Sequence, residues 1–203
     1  ELIIDGQKAI CMPKHDALCI SDLHIGKVTH FRKKGIGLPS SAENDNFTRL
    51  QKLLHKYPHM DIYILGDLFH SQHNKAWELW LTFIREHIHR SFYLIHGNHD
   101  ILPEETLEKS GLILLGEHYQ LGNIRLQHAP TYTSEKHIIC GHIHPKIRLK
   151  LDKAVKQSFP CFYRVQNNFI LPSFGSFTGG KNMSIEEGRN VFIIADDYVF
   201  KVK

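Results

Sequence analysis

Five short apolar runs in this chain each end on residues of the type that bind metals, and that recurrence limits what the chain can fold into. Ala17–Ile20 runs into Ser21-Asp22-Leu23-His24, and Ile62–Leu65 into Gly66-Asp67-Leu68-Phe69-His70. Phe92–Ile95 is followed by His96-Gly97-Asn98-His99-Asp100, Ile124–Gln127 by His128, and His137–Cys140 by Gly141-His142-Ile143-His144. Runs of four to eight apolar residues bounded by turn formers are buried strands. In open α/β sheets the carboxyl ends of strands are where ligands bind. A fold that gathers five strand ends at one edge would therefore collect all of these side chains in one place.

Helical patterns separate the first strands. Phe47, Leu50, Leu54 and Tyr57 repeat at helical spacing behind a capping box at Ser40 and Glu43, and Trp77, Trp80, Leu81, Ile84 and Ile88 form a second amphipathic stripe. A short helix is expected between Pro103 and Lys109, and Asp5-Gly6 between Leu2–Ile4 and Ala9–Met12 signals a hairpin. From Leu112 onward the pattern is strand-rich: Leu112–Leu115, Ile147–Leu151, Cys161–Val165, Phe169–Leu171, Val191–Ala195 and Tyr198–Val202 join the two runs above. Strand and helix alternating, then strands alone, predict an α/β protein with a two-sheet β-sandwich flanked by helices. No repeat or linker divides the chain, so residues 1–203 are expected to form one domain.

Composition narrows the chemistry. Histidine is unusually frequent, 16 of 203 residues, and neutral imidazole is the commonest protein metal ligand. Asp-x-His and His-x-His place two ligands on the same side of an extended segment. Mixed imidazole and carboxylate suits Mn, Fe, Zn or Co rather than Ca, which prefers oxygen alone. The formal charge of +4 suits an anionic partner. Two clusters sharpen that point: His30-Phe31-Arg32-Lys33-Lys34 after the first motif, and Lys146, Arg148, Lys150, Lys153 and Lys156 after the last. Each reads either as a solvated basic face or as a surface for a phosphate backbone. Cys11, Cys19, Cys140 and Cys161 form no C-x-x-C pair, which points to a reducing, cytoplasmic setting. No apolar run approaches the about 18 residues of a membrane span, no secretory signal pattern opens the chain, and no membrane partner is expected.

As a set, Asp22-x-His24, Gly66-Asp67, Gly97-Asn98-His99-Asp100, His128 and Gly141-His142-x-His144 resemble the calcineurin-like metallophosphoesterase superfamily. Ser21–Lys27, His30–Lys33, Gly66–Ser71 and Leu171–Gly180 resemble more narrowly the bacterial ligase-associated DNA damage response phosphoesterases (PdeM), and Gly66–His70 also resembles the matching motif of Mre11-type nucleases. The resemblance implies that Asp22, His24 and His144 hold a first metal. It gives Asn98, His128 and His142 to a second, with Asp67 bridging and His137 the alternative to His128. It also implies two divalent transition-metal ions, Mn before Zn or Fe, and in-line attack of metal-activated water on a phosphate ester. DNA, single-stranded or flap-like, is the implied substrate, with DNA-repair proteins as possible partners. The alternatives are a small-molecule phosphodiesterase acting on nucleotides and a non-catalytic scaffold.

His99, beside Asn98, is the candidate general acid for the leaving alkoxide, with Asp100 expected to orient its imidazole. His70, three residues after Asp67, resembles the Mre11-type histidine that contacts the scissile phosphate, whereas His73 sits on an ambiguous loop. The Leu171–Gly180 segment reads equally as a substrate-facing loop or as a buried turn closing the sheets.

Overall fold

A computed structural model describes residues 1–27, 41–70, 75–132, 136–152, 155–176 and 178–202, with the side chains of 41–43 and 75–76 excepted. The His30–Lys34 cluster, the Ser40–Glu43 capping box, His73, Lys153 and Phe177 lie outside what it describes.

Alternation along the strands explains the layers. The first sheet runs in the order β1 (Ile3–Asp5), β2 (Ala9–Met12), β3 (Ala17–Ile20), β4 (Asp61–Leu65), β5 (Phe92–Ile95) and β6 (Leu112–Leu114). The hairpin pairs β1 with β2, β2 returns antiparallel to β3, and β3 to β6 are parallel. Residues of β3 and β4 point alternately to two cores. Leu18, Ile20, Ile62 and Ile64 face outward, where they meet Leu50, Leu53 and Leu54 of α1 (Ser41–Lys56) and Trp77, Trp80 and Phe83 of α2 (Lys75–Glu86). Ala17, Cys19, Tyr63 and Leu65 face inward against Leu126, Ile139, Phe162 and Leu171 of the second sheet.

That second sheet is ordered β13-β10-β11-β12-β9-β8-β7, with β14 and β15 added beside β11. Its strands are β7 (His118–Leu121), β8 (Ile124–Gln127), β9 (His137–Cys140), β10 (Pro145–Lys150), β11 (Lys156–Val165), β12 (Asn168–Ile170), β13 (Lys181–Asn182), β14 (Asn190–Ala195) and β15 (Tyr198–Val202). β8, β9 and β12 are mutually parallel. Ile138, Cys140, Ile147, Cys161 and Val191 form a third core on the far face. The architecture is the expected two-sheet α/β sandwich, and among the described residues the α-helices lie on one of its faces. Leu107 of α3 (Glu104–Lys109) joins α1 and α2 in the layer outside the first sheet.

One sequence expectation needs correction, and other features were not foreseen. Ile88 lies beyond the end of α2 and is 76% exposed; Phe83 takes its place on the buried stripe. β7 and β13 were not expected, because His118-Tyr119-Gln120-Leu121 and the two-residue Lys181-Asn182 carry no buried apolar run. What ends α1 also escapes local reading. Arg90 donates at 2.7–2.8 Å to the carbonyl of Leu54, which the last helical turn leaves open, and to those of Tyr57, Pro58 and Met60 just beyond it.

Candidate metal centre

The strand ends deliver the ligand residues through an unusual backbone. Asp22, His24, Asp67, His142 and His144 all have φ between 48° and 68°. The left-handed region costs a non-glycine residue on the order of 1–3 kcal/mol, and such residues cluster where function holds them. Here it turns the chain after β3, β4 and β9, bringing their side chains to Asn98, which follows β5, and His128, which follows β8. Gly141 shows how close the approach is, since a Cβ there would overlap the Ser21 hydroxyl and the Asp22 carboxylate.

Two groups of donors result. Asp22, His24 and His144 form one, with His144 Nε2 3.1 Å from Asp22 Oδ1. Asp22, Asp67 and His128 form the other. Around His128 Nε2 stand Asn98 Oδ1 at 3.0 Å, His142 Nδ1 at 3.1 Å and Asp67 Oδ1 at 3.5 Å. Donors about 2.1 Å from a common cation stand roughly 3.0–3.4 Å apart. The seven expected ligands are therefore brought together. Asp67 lies between the groups, its Oδ2 3.6 Å from His24 Nε2. Asp22 also belongs to both groups, a sharing not expected from sequence. His137, the alternative to His128, lines a cavity of about 430 Å³ at the opposite ends of the strands and takes no part.

The chemistry of the donors fits divalent metals. His24 is 3% exposed, yet neither ring nitrogen makes a hydrogen bond. A neutral imidazole carries one N–H and one lone pair, so leaving both buried without partners is costly unless a cation takes one of them. Burial pulls His24 down to about 3, aided by the positive charge of Lys27, so the ring is neutral, the form able to coordinate. At His128 the other nitrogen, Nδ1, faces the Leu65 carbonyl at 2.8 Å; donation there leaves Nε2 with its lone pair toward Asn98 and Asp67. His144 Nδ1 faces the Thr178 carbonyl at 3.3 Å in the same sense.

Rings that the ligand set does not include stand at the rim. His99 is exposed, its ring 5.4 Å from that of His24 and 5.6 Å from that of His70, while His70 is 5.6 Å from His24. His99 and His70 are thus held where a group bound at the donors would meet them. Asp100 does something other than expected. Its carboxylate accepts the backbone N–H groups of Asp67 (2.8 Å), Leu68 (2.9 Å), Gly97 (2.9 Å) and Phe69 (3.4 Å), with no bond to the His99 ring. The reason is position: Asp100 is 2% exposed beneath the two loops while the His99 ring points out. It ties the Gly66–Phe69 loop to the Gly97 loop and so positions Asp67 and Asn98.

Three contributors were missed, two of them because they act across long separations. The Ser21 hydroxyl hydrogen-bonds to Asp22 Oδ2, and the Ser173 hydroxyl and Gly175 N–H both donate to the Asp22 carbonyl. The Leu171–Gly180 ambiguity resolves through these bonds. Leu171 to Gly175 are buried and close against the Ser21-Asp22 turn, and only the later residues reach the surface. Beside Asn98 and His128 opens a cleft of about 400 Å³ lined also by His96, His118, Arg125 and Gln127. Arg125 Nε is buried there without a hydrogen bond.

Comparison with known proteins agrees with this geometry. The family model for calcineurin-like phosphoesterases matches residues 16–168. A search of curated proteins gives no match. The crystal structure of Pseudomonas putida nuclease MPE superposes with a TM-score of 0.81 at 26% identity, covering 99% of this chain and 94% of that one. A conserved uncharacterized protein from Streptococcus pneumoniae TIGR4 aligns over 90% of this chain and 84% of its own, at 14% identity and a TM-score of 0.35. With a family model over most of its length and buried Asp/His groups able to hold metal, the chain is a metal-dependent phosphoesterase and belongs to the calcineurin-like phosphoesterase family.

Proposed function

We propose that residues 1–203 form one metallophosphoesterase domain that hydrolyses phosphodiesters in DNA with two metal ions. The observation that carries the reading is the pair of donor groups sharing Asp22 and spanned by Asp67. His24 and His144 would complete one site, and Asn98, His128 and His142 the other. Two divalent ions, Mn before Zn or Fe, would supply Lewis acidity and a water of lowered pKa.

The chain's own residues do the rest. Asp100 fixes both central loops, so that donors need not reorganise during reaction. His99, exposed and 5.4 Å from the His24 ring, gives its proton to the departing alkoxide oxygen. His70 stands 5.6 Å from both the His24 and the His99 ring, where its imidazole contacts a phosphoryl oxygen.

DNA is supported by three things. The well-superposed neighbour is described as a nuclease. Narrower sequence motifs resemble the ligase-associated repair phosphoesterases. An Arg- and His-lined cleft opens beside Asn98 and His128, giving room for more substrate than the reacting phosphate alone. The same resemblance places the activity in repair, on single-stranded or flap-like DNA. A cytoplasmic setting is supported by four buried cysteines, none in a disulfide.

The test is to load the protein with Mn²⁺ and offer a generic phosphodiester, a phosphomonoester and single-stranded DNA, with Asp67→Ala as control. Cleavage of diester and DNA, abolished in the variant, is expected. Hydrolysis of the diester with DNA intact would transfer the reading to a small nucleotide substrate. Inactivity with metal bound would leave a scaffold.

A further inference from the structure

On the His144 side of the centre lies a second, smaller cavity of about 140 Å³, and its lining is cationic. Lys8, from the turn of the first hairpin, and Lys146, at the start of β10, both line it, together with His144, Ser173, Ser176 and Thr178. No carboxylate is among the described residues of its wall. Arg49 of α1 stands close by. Lys8 Nζ and Arg49 Nη1 both donate to the Phe174 carbonyl, at 3.4 and 2.5 Å, so one acceptor draws two cations together.

Acids offset these charges only in part: Asp197 faces Lys8 and Arg49, and Asp45 faces Arg49. Among the described residues Lys146 makes no hydrogen bond or ion pair with an acid, and the 3.4 Å bond leaves Lys8 with donors to spare. Asp197, which offsets Lys8, also faces Lys52 at 3.9 Å. Desolvation, then the charges of Arg49 and Lys146, pull Lys8 down to about 7. The hydroxyls on the wall are already used: Ser173 donates to Asp22, Ser176 to Asn46 and Thr178 to Gly175. The Lys8 and Lys146 side chains therefore have donors open to an occupant, and an anion there would favour the charged form of both.

We propose that this cavity is an anion subsite in which Lys8 and Lys146, backed by Arg49, bind the backbone phosphate next to the one being cleaved. The proposal rests on the metal-centre reading, because it is His144, shared by both places, that sets the subsite beside the reacting phosphate. It deepens that reading. A small diester would leave the subsite empty, whereas a polynucleotide strand would fill it.

The experiment uses Mn²⁺-loaded full chain and two pairs of chromogenic esters. One pair is the p-nitrophenyl ester of thymidine 5′-phosphate with and without a 3′-phosphate; the other is the 3′ ester with and without a 5′-phosphate. In one pair the extra phosphate is expected to raise kcat/KM about tenfold, mainly through KM, the size of one charge-assisted hydrogen bond. Lys8→Gln and Lys146→Gln should each reduce that advantage, and together bring it to about one. Melting temperature and bound metal, measured on each variant, report folding separately. No advantage in either pair, or one that survives both substitutions, would overturn the proposal. Intact single-stranded DNA together with a lysine-dependent phosphate advantage would overturn the nuclease reading and leave the subsite standing.

Discussion

Asp5 and His24 are buried to nearly the same degree, yet their surroundings differ completely. Asp5, at the end of β1, accepts from the Gln7 N–H at 2.8 Å, Lys56 at 2.6 Å and the Tyr57 hydroxyl at 2.8 Å. His24, at the end of β3, has no hydrogen bond to either ring nitrogen. The first is a polar group buried to join the hairpin to α1, and its partners are all within the chain. The second is buried with a place left open. A buried polar group without a partner is costly, and one ringed by Asp22, Asp67 and His144 fits a cation.

The contrast can be broken most directly at His24. His24→Ala should lower diester turnover by on the order of 10²–10³, with loss of bound metal measured by elemental analysis. If metal content is unchanged, the open valence of His24 does not belong to a metal. Next comes ligand linkage. Mn²⁺ at about a thousand times its dissociation constant should stabilise the wild type by about 4 kcal/mol in denaturant titrations. Asp5→Ala should gain as much, and His24→Ala much less. His99 is exposed and outside both donor groups, so His99→Asn should cut kcat by about 10²–10³ while metal content stays whole. A fall in both would make it structural.

Smaller effects belong to Asp5. Asp5→Ala should destabilise by about 1–3 kcal/mol, read from the urea midpoint, leaving metal content intact. Burial opposes ionisation of Asp5, but Lys56, the Gln7 N–H and the Tyr57 hydroxyl outweigh it and hold its carboxyl below the usual range. A depressed folded value means that its stabilisation is present above the unfolded carboxylate range, near pH 4, and lost as pH falls through the folded value. Asp5→Asn should therefore flatten the acid limb of the stability profile. Because Lys56 is largely exposed, the change should be modest.

What was readable in sequence follows the same division. Asp22, His24, Asp67, Asn98, His128, His142 and His144 could be read because each sits just past an apolar run, a local signal. The depth of Leu50, Trp77 and Trp80 was readable for the same reason, since helical spacing carries it. Ser173, Lys8 and Arg49 were not, because their partners lie 125 to 166 residues away and no local pattern marks them. Asp100 was visible but misread. From sequence its neighbour is His99, while in space its neighbours are the N–H groups of a loop some thirty residues earlier. Ile88 fits the helical spacing but falls after the helix has ended.

The left-handed backbone at five donor positions has an evolutionary consequence. Each such residue is kept against a conformational penalty of about 1–3 kcal/mol that glycine would escape and asparagine would feel less. Selection for hydrolysis holds those positions; selection for folding alone pulls them elsewhere. A lineage released from the reaction should drift first at Asp22, Asp67, His142 and His144 toward glycine or asparagine, and its inactive descendants should outlast this chain in heat.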